Sequence, residues 1–485
     1  MTNDHFPIEA SIADLQKAME NGETTSVQLV YFYLEQIAKY NELINAVIEV
    51  NPDAEFIAQT LDAERKLKGP RGPLHGVPIL IKDNIDTGDK MHTSAGSIAL
   101  KDHYAKKDAY VAQKLREAGA VILGKVNLTE WANFISDHMP SGYSSRGGQV
   151  MNPYGPGKFD VGGSSAGSGA AVASNMAPIA IGTETSGSIL NPASQNNVVG
   201  IKPTIGLVSR SGIIPIAHSQ DTAGPLAKSV RDAAILLNAI VGEDPTDPVT
   251  KLGGLRPKED YTDYLDPNGL KGKRIGVPRH RFYDDLSEDV LRLIDEALTA
   301  MKALGAEIVD PIEIPKADAE ESFDVLIYEF KPALNAYLSQ VEPHLPVHSL
   351  KDLVAFNGLH ADRALKYGQA LFEAAERTEG TLAEAAYLNS RLADLAYSKT
   401  NGIDKVMADH QLDALVFPSS WGSSIAAKAG YPSVCVPIGF TNEGEPLGLS
   451  FTARAFEEPQ LIAMTYAYEQ ANAHRKAPVL EVDKK

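Results

Sequence analysis

The sequence predicts an α/β domain with a largely covered sheet. From about residue 78 onward, short apolar runs of strand length alternate with segments whose apolar residues recur at helical spacing. No long low-complexity linker and no internal repeat divides the chain into independent units. Hydrophobic residues make up 44% and charged residues 22%, the balance of a folded soluble protein rather than a disordered one.

Taken in order, the first seventy residues read as helices. Ile12, Leu15 and Met19 share one face, and a second apolar stripe runs over 26–40, with Ser26 as its expected cap. Pro52 suits the first turn of a third helix that passes through Ala54, Ile57 and Leu61 and stops at Gly69 and Pro70. Residues 78–81 form a short buried strand ending in Lys82. A helix over 109–117 leads into a second strand at 120–123. Further strands are expected at 273–277, 307–309, 414–417, 433–437 and 447–451, and helices at 286–304, 319–340, 383–399 and 459–473. The region 310–410 is almost wholly helical and reads as an insertion covering one face or end of the sheet.

Composition excludes several classes of function. The chain of 485 residues carries 45 Lys and Arg against 63 Asp and Glu, a formal charge of −18, which argues against autonomous nucleic-acid binding. No run of apolar residues is long enough to span a membrane; the best candidate, 169–182, is broken by Ser174 and Asn175. The N-terminal residues show no secretory pattern, so a cytoplasmic protein is expected. Cys435 is the single cysteine, lies in an apolar strand, and is expected to be a core residue without a redox role. The twelve histidines show no metal-binding spacing, and neither a metal nor a cofactor is expected.

The stretch 141–201 is the informative part. Of its 61 residues only Arg146, Lys158, Asp160 and Glu184 are charged, where the chain average of 22% would give about 13. It is dense in glycine and serine (Gly162, Gly163, Ser164, Ser165, Gly167, Ser168, then Ser186, Gly187, Ser188) yet carries apolar insertions that flexible linkers lack. A buried region rich in backbone N–H groups and hydroxyls can supply an oxyanion hole and a serine nucleophile. Two decoys lie nearby. Gly119 to Lys125 has phosphate-loop spacing, but Val126 replaces the required Ser or Thr and the intervening residues read as a strand. Residues 163–167 fit the nucleophile elbow around Ser165, but His218, His280, His344 and His360 downstream sit in no recognisable motif.

At these residues the sequence resembles the amidase signature family. Residues 162–168 resemble its Gly-Gly-Ser-Ser-Gly-Gly-Ser run, 182–189 its second block, and Gly200-Ile201-Lys202-Pro203-Thr204 the continuation. Upstream, His75-Gly76-Val77-Pro78 with Ile81-Lys82-Asp83-Asn84 resembles the lysine motif; near the end, 429–440 and 448–451 resemble the closing strands. Ser186, Glu184 and Leu190 stand where Gly, Asp and Arg are usual, and in this the chain is similar to the peptide amidase branch. The resemblance implies a single amidase domain over 1–485, with 310–410 inside it, built on a central mixed, twisted sheet covered by helices on both faces. It also implies a catalytic triad: Ser188 as nucleophile, Ser164 as the serine of a cis peptide bond, and Lys82 as base. Backbone N–H groups of Thr185, Ser186, Gly187 and Ser188 would form the oxyanion hole.

The chemistry fits these residue types. A serine hydroxyl is a weak nucleophile until a neighbour takes its proton. Lysine can do so only when neutral, which requires a dry site to lower its pKa from about 10.4. Residue by residue, Lys82 is placed no better than Lys125 or Lys202, each beside an apolar run, and a surface or capping role is the default for all three. A minority of the aromatics of the helical region (Phe323, Tyr328, Phe330, Tyr337, Tyr387) are expected to line an acyl pocket. The expected activity is hydrolysis of a primary carboxamide, such as a peptide C-terminal amide, to carboxylate and ammonia. The alternative is the glutaminase subunit of a tRNA-dependent amidotransferase, which alone would need a partner chain. That alternative calls for an acidic residue in a longer segment where 419–429 is short and has Lys428 as its only charge.

Overall fold

A computed structural model describes residues 8–317 and 322–481. Its strands are β1 (Val47–Val50), β2 (Pro78–Lys82), β3 (Val121–Val126), β4 (Tyr143–Ser144), β5 (Gly148–Gln149), β6 (Ile179–Glu184), β7 (Val199–Lys202), β8 (Thr222–Ala227), β9 (Arg274–Gly276), β10 (Glu307–Val309), β11 (Ala414–Pro418), β12 (Ser433–Phe440) and β13 (Pro446–Thr452). Strands β4 and β5 pair as a separate ribbon. The other eleven form one sheet in the order β1-β3-β2-β6-β8-β7-β12-β13-β11-β9-β10. Pairing is mixed. β3-β2-β6 and β11-β9-β10 are parallel and the remaining neighbours antiparallel. The sheet is therefore the mixed, helix-covered one that the motifs imply.

Each face of this sheet buries its own apolar cluster. Alternate residues of a strand point to opposite faces. Ile79 and Ile81 of β2 pack with Ile122, Ile181 and Ile201 on one side, while Leu80 packs with Val121, Leu123, Ala180 and Leu226 on the other. Lys82, two residues beyond Leu80, belongs to the second side, which is covered by the helix Ala166–Ala173. That helix is built from small residues and is buried along its whole length. It can thus lie closer to the sheet than a leucine-rich helix could.

The N-terminal helices are Ile12–Glu20, Ser26–Ile44 and Ala54–Lys68. Thr25, not Ser26, caps the second: its hydroxyl accepts from the Gln28 N–H. The buried Ser26 hydroxyl instead donates to the Gly76 carbonyl at 2.9 Å. The helix expected over 319–340 spans Asp324–Leu338, residues 319–321 lying outside the described part. With Leu350–Leu359, Ala370–Glu376 and Ala385–Asp394 it surrounds a third apolar cluster that also takes in Trp131 and Phe134. Within that cluster Phe330 stacks on Phe372. Among the described residues no helix is long and apolar enough to cross a membrane.

Glycine is needed where backbones nearly touch. In the middle of an exposed helix, replacing Gly by Ala stabilises by about 1 kcal/mol. At Gly167, however, a Cβ would stand 2.3 Å from the Asn127 carbonyl oxygen and 2.6 Å from that of Ala46. Gly167→Ala should therefore destabilise the protein by about 1–3 kcal/mol, the cost of overpacking, as read from the denaturant midpoint.

Candidate active site

Two parallel strands bring the site together. Leu80 and Ile81 of β2 pair with Ala180 and Ile181 of β6, so the carboxyl end of β2, at Lys82, lies beside Thr183 and Glu184 at the carboxyl end of β6. Ligands commonly bind beyond the carboxyl ends of parallel strands in α/β sheets. Lys82 is 0% exposed. Its Nζ lies 2.7 Å from Ser164 Oγ, 3.0 Å from Ser165 Oγ, 2.9 Å from Thr183 Oγ1 and 3.2 Å from the Thr183 carbonyl oxygen. The peptide bond between Gly163 and Ser164 is cis.

The hydroxyls around the amine are not equivalent. Ser165 donates to the Thr183 carbonyl at 3.0 Å and accepts from the Thr183 N–H, so its proton is committed to the backbone. Thr183 Oγ1 accepts from the Asn84 side chain at 3.0 Å. Ser164 Oγ has Lys82 as its one hydrogen-bond partner among the described residues, and so keeps a proton that can move. Burial drives the Lys82 amine down to about 7, against the Glu184 and Asp221 carboxylates, which favour the charged form.

Ser188 sits in the turn between β6 and the helix Leu190–Gln195. The turn is fastened on both sides. Glu184 Oε2 accepts from the N–H groups of Ile189 and Leu190 at 2.6 and 3.0 Å, and the Gly187 carbonyl accepts from Asn191 N–H at 2.7 Å. The Ser188 carbonyl accepts from Ser165 N–H at 3.1 Å, tying the turn to the lysine cage. Gly187 has φ +82°, a left-handed value suited to glycine, and a Cβ there would stand 3.0 Å from Ser423 Oγ. Among the described residues none accepts a hydrogen bond from the N–H groups of Ser186, Gly187 or Ser188.

A cleft of about 410 Å³ opens from Thr183, Glu184 and Thr185. Ile213, Ile214, Pro215 and Ile216 line it, as do Ala333, Ala336 and Tyr337 of the helix Asp324–Leu338. Asp221 fixes both the turn and this wall. It accepts from the Thr185 hydroxyl and from the N–H groups of Ile216 and Ala217, and burial pushes its carboxyl up to about 6 against those hydrogen bonds. Of the five aromatics singled out from sequence, Tyr337 lines the cleft. Phe330 is core, Phe323 is exposed, and Tyr387 donates to the buried Glu329.

Lys125 and Lys202 are also fully buried, so the default of a surface or capping role is corrected for these two, whereas for Lys82 the resemblance implies the dry setting that is found. Lys125 donates to the Ile85 carbonyl and the Thr93 hydroxyl; Lys202 donates to the Tyr431 carbonyl and is lowered to about 8 by burial. Only Lys82 of the three meets the serine cluster. Sequence reasoning misses Ser165, Thr183, Asn84 and Asp221 as parts of the site. The first three lie inside the quoted motifs without being given a role there, whereas Asp221 is brought in by the pairing of Glu184 with Thr222 across β6 and β8. Cys435 is buried and its thiol is pushed up to about 12 by desolvation. Among the described residues no group of three or more His, Cys, Asp or Glu could hold a metal ion.

Fold and site together are those of an α/β enzyme acting on amides. The sequence profile of the Amidase family matches residues 28–462, and the chain belongs to that family. It is 43% identical to a probable amidase of Arabidopsis thaliana over 97% of this chain and 91% of the plant protein. The crystal structure of native peptide amidase from Stenotrophomonas maltophilia is 46% identical, with a TM-score of 0.91 over 98% of this chain and 99% of that one. A glutamyl-tRNA(Gln) amidotransferase chain from Thermotoga maritima is more distant, at 27% identity and a TM-score of 0.72, covering 98% of each chain.

The dry amine has a consequence for stability. A lysine lowered in the folded state from 10.5 to about 7 binds a proton in the unfolded chain but not in the folded one across that interval. Folding is therefore disfavoured by this group below about pH 7 and relieved of the penalty as pH rises toward 10.5. In paired denaturation curves of wild type and Lys82→Met, the wild type should gain on the variant by up to about 1.4 kcal/mol per pH unit between pH 7 and 10, whatever their offset at pH 7.

Proposed function

We propose that this amidase works without a cofactor or a partner chain, releasing ammonia from a primary carboxamide through an acyl-enzyme on Ser188. The observation that carries this reading is the 2.7 Å contact between the fully buried Lys82 amine and Ser164, whose hydroxyl proton is otherwise unclaimed. Neutral Lys82 takes the proton of Ser164 as Ser164 takes that of Ser188. Ser188 Oγ then adds to the amide carbon. Negative charge moves to the carbonyl oxygen, where N–H groups of the turn 185–188 receive it; each such donor is commonly worth about 3–4 kcal/mol of barrier. The proton returns from Lys82 through Ser164 to the amide nitrogen, the C–N bond breaks, and ammonia leaves. Water attacks the ester with the same relay as base, giving the carboxylate and free Ser188.

A C-terminal peptide amide or a related acyl amide is the substrate we favour. The similarity to peptide amidase supports this, as does the apolar wall at Ile213, Ile214 and Ile216, which suits an uncharged side chain. The segment 419–429 carries no acidic residue, which speaks against free glutamine as substrate.

The isolated chain should release ammonia from an N-acyl amino-acid amide with no second protein present; failure across a panel of such amides would sink the proposal. Ser188→Ala should abolish turnover and labelling by a fluorophosphonate while keeping a wild-type melting profile. Lys82→Ala should cost several orders of magnitude in kcat/KM. Because the amine must be neutral and sits at about 7, kcat/KM should fall roughly tenfold per pH unit below that value. A profile flat down to pH 4 would contradict the role of Lys82.

A further inference from the structure

Two stretches of chain far apart in sequence line the cleft, and one short segment holds both. Ile85 pairs with Ile213 as an isolated antiparallel bridge. On either side of it, Ile214 N–H donates to the Asn84 carbonyl at 2.9 Å and Asp86 N–H to the Gly212 carbonyl at 2.8 Å. The isoleucine wall is thus fastened to residues 84–86. These follow Lys82 through a turn closed by Ile85 N–H on the Lys82 carbonyl at 3.0 Å. The Asp86 carbonyl in turn accepts from Ala109 N–H at 2.9 Å, so the backbone of Asp86 is bonded on both sides.

The helical wall reaches the same residue. Phe330, Leu334 and Leu338, spaced by four along the helix Asp324–Leu338, are buried in the third apolar cluster. Ala333, Ala336 and Tyr337, at three- and four-residue spacing, share another face and line the cleft. The Tyr337 hydroxyl donates to Asp86 Oδ1 at 2.7 Å and lies 3.2 Å from His103 Nε2. Asp86 is not among the residues that line the cleft. Ile214 and Ile216 also belong to the third cluster, so apolar contact joins the two walls as well. Such contact is non-directional, however, whereas a hydrogen bond fixes a distance and an angle.

We propose that Asp86 is a positioning residue for substrate selection: through Tyr337 it fixes the helical wall relative to the isoleucine wall, and so sets the bulk of acyl side chain that the cleft admits. It acts without touching substrate. The two alanines leave room on the helix face, and the Tyr337 ring bounds that room. With its hydroxyl held by Asp86 the ring keeps one rotamer; released, it can leave that rotamer and the bound is relaxed. The proposal rests on the reading that this cleft holds the acyl part of the amide attacked by Ser188.

The test compares N-acetyl-leucinamide with the bulkier N-acetyl-naphthylalaninamide. Asp86→Ala and Tyr337→Phe should each raise the ratio of kcat/KM for the bulkier amide over the smaller by about tenfold, the lower end of what one misfitted methylene costs in an apolar pocket. Asp86→Asn keeps an acceptor for the phenol and should hold that ratio within about twofold of wild type. Because both changes break one interaction, the double variant Asp86→Ala with Tyr337→Phe should exceed neither single variant. A loss shared equally by both amides, a ratio that stays or falls, or effects that add in the double variant would overturn the role of Asp86. If Asp86→Ala does not fold, Tyr337→Phe decides by the same ratio. If neither amide is hydrolysed, the proposed reaction fails, while calorimetric affinities of both amides for wild type and Tyr337→Phe still decide the selection.

Discussion

A single demand organises this protein: an amine must be kept dry and yet be surrounded by polar partners. Burying a lysine with no partners would cost far more than folding can supply. The site meets the demand with hydroxyls and a carbonyl within 3.2 Å rather than with a directly bound counter-ion. Hydroxyls serve because they accept from an ammonium and donate to a neutral amine, so the cage tolerates either state. A carboxylate hydrogen-bonded in their place would hold the proton on nitrogen.

The architecture around the cage follows from its small size. To bring Ser164 and Ser165 to the end of β2, the chain must pass over the sheet at backbone-contact distance. The helix Ala166–Ala173 does this because it carries glycine, alanine and serine where other helices carry leucine. Gly182 of β6 belongs to the same arrangement, since a Cβ there would lie 2.7 Å from Ser165 Oγ. The lack of charge across 141–201 is thus the signature of close packing as much as of catalysis. Of the four charged residues there, Glu184 alone enters the cage's electrostatics.

That density is also why the middle of the sheet is hard to read from sequence. Strands with uninterrupted apolar runs are legible: β2 and β10 fall on the expected residues, β11 and β12 extend theirs by one and three residues at the carboxyl end, and β13 by one residue at each end. β6, β7, β8 and the helix Ala166–Ala173 are not, because glycine and alanine give neither a two-residue nor a helical period. β1 escapes because Glu49 sits within it, its carboxylate turned to His92 and Arg146. In the site, short motifs point to Lys82, Ser164 and Ser188. The cleft wall and Asp221 are not assigned to the site from sequence, because strand register and a distant helix bring them in.

Glu184 shows how a departure from the common pattern is absorbed. With Leu190 in place of an arginine, no guanidinium follows the turn at Ser188. The carboxylate is met instead by the backbone N–H groups of Ile189 and Leu190. Those dipoles hold the turn as an ion pair would. Glu184 Oε1 is buried with no hydrogen-bond partner. Glu184 is the larger of the two carboxylate influences that favour the Lys82 ammonium. Burial acts in the opposite sense and lowers the amine. The balance of burial against the two carboxylates rests at about 7, where a group can both accept and return a proton at neutral pH.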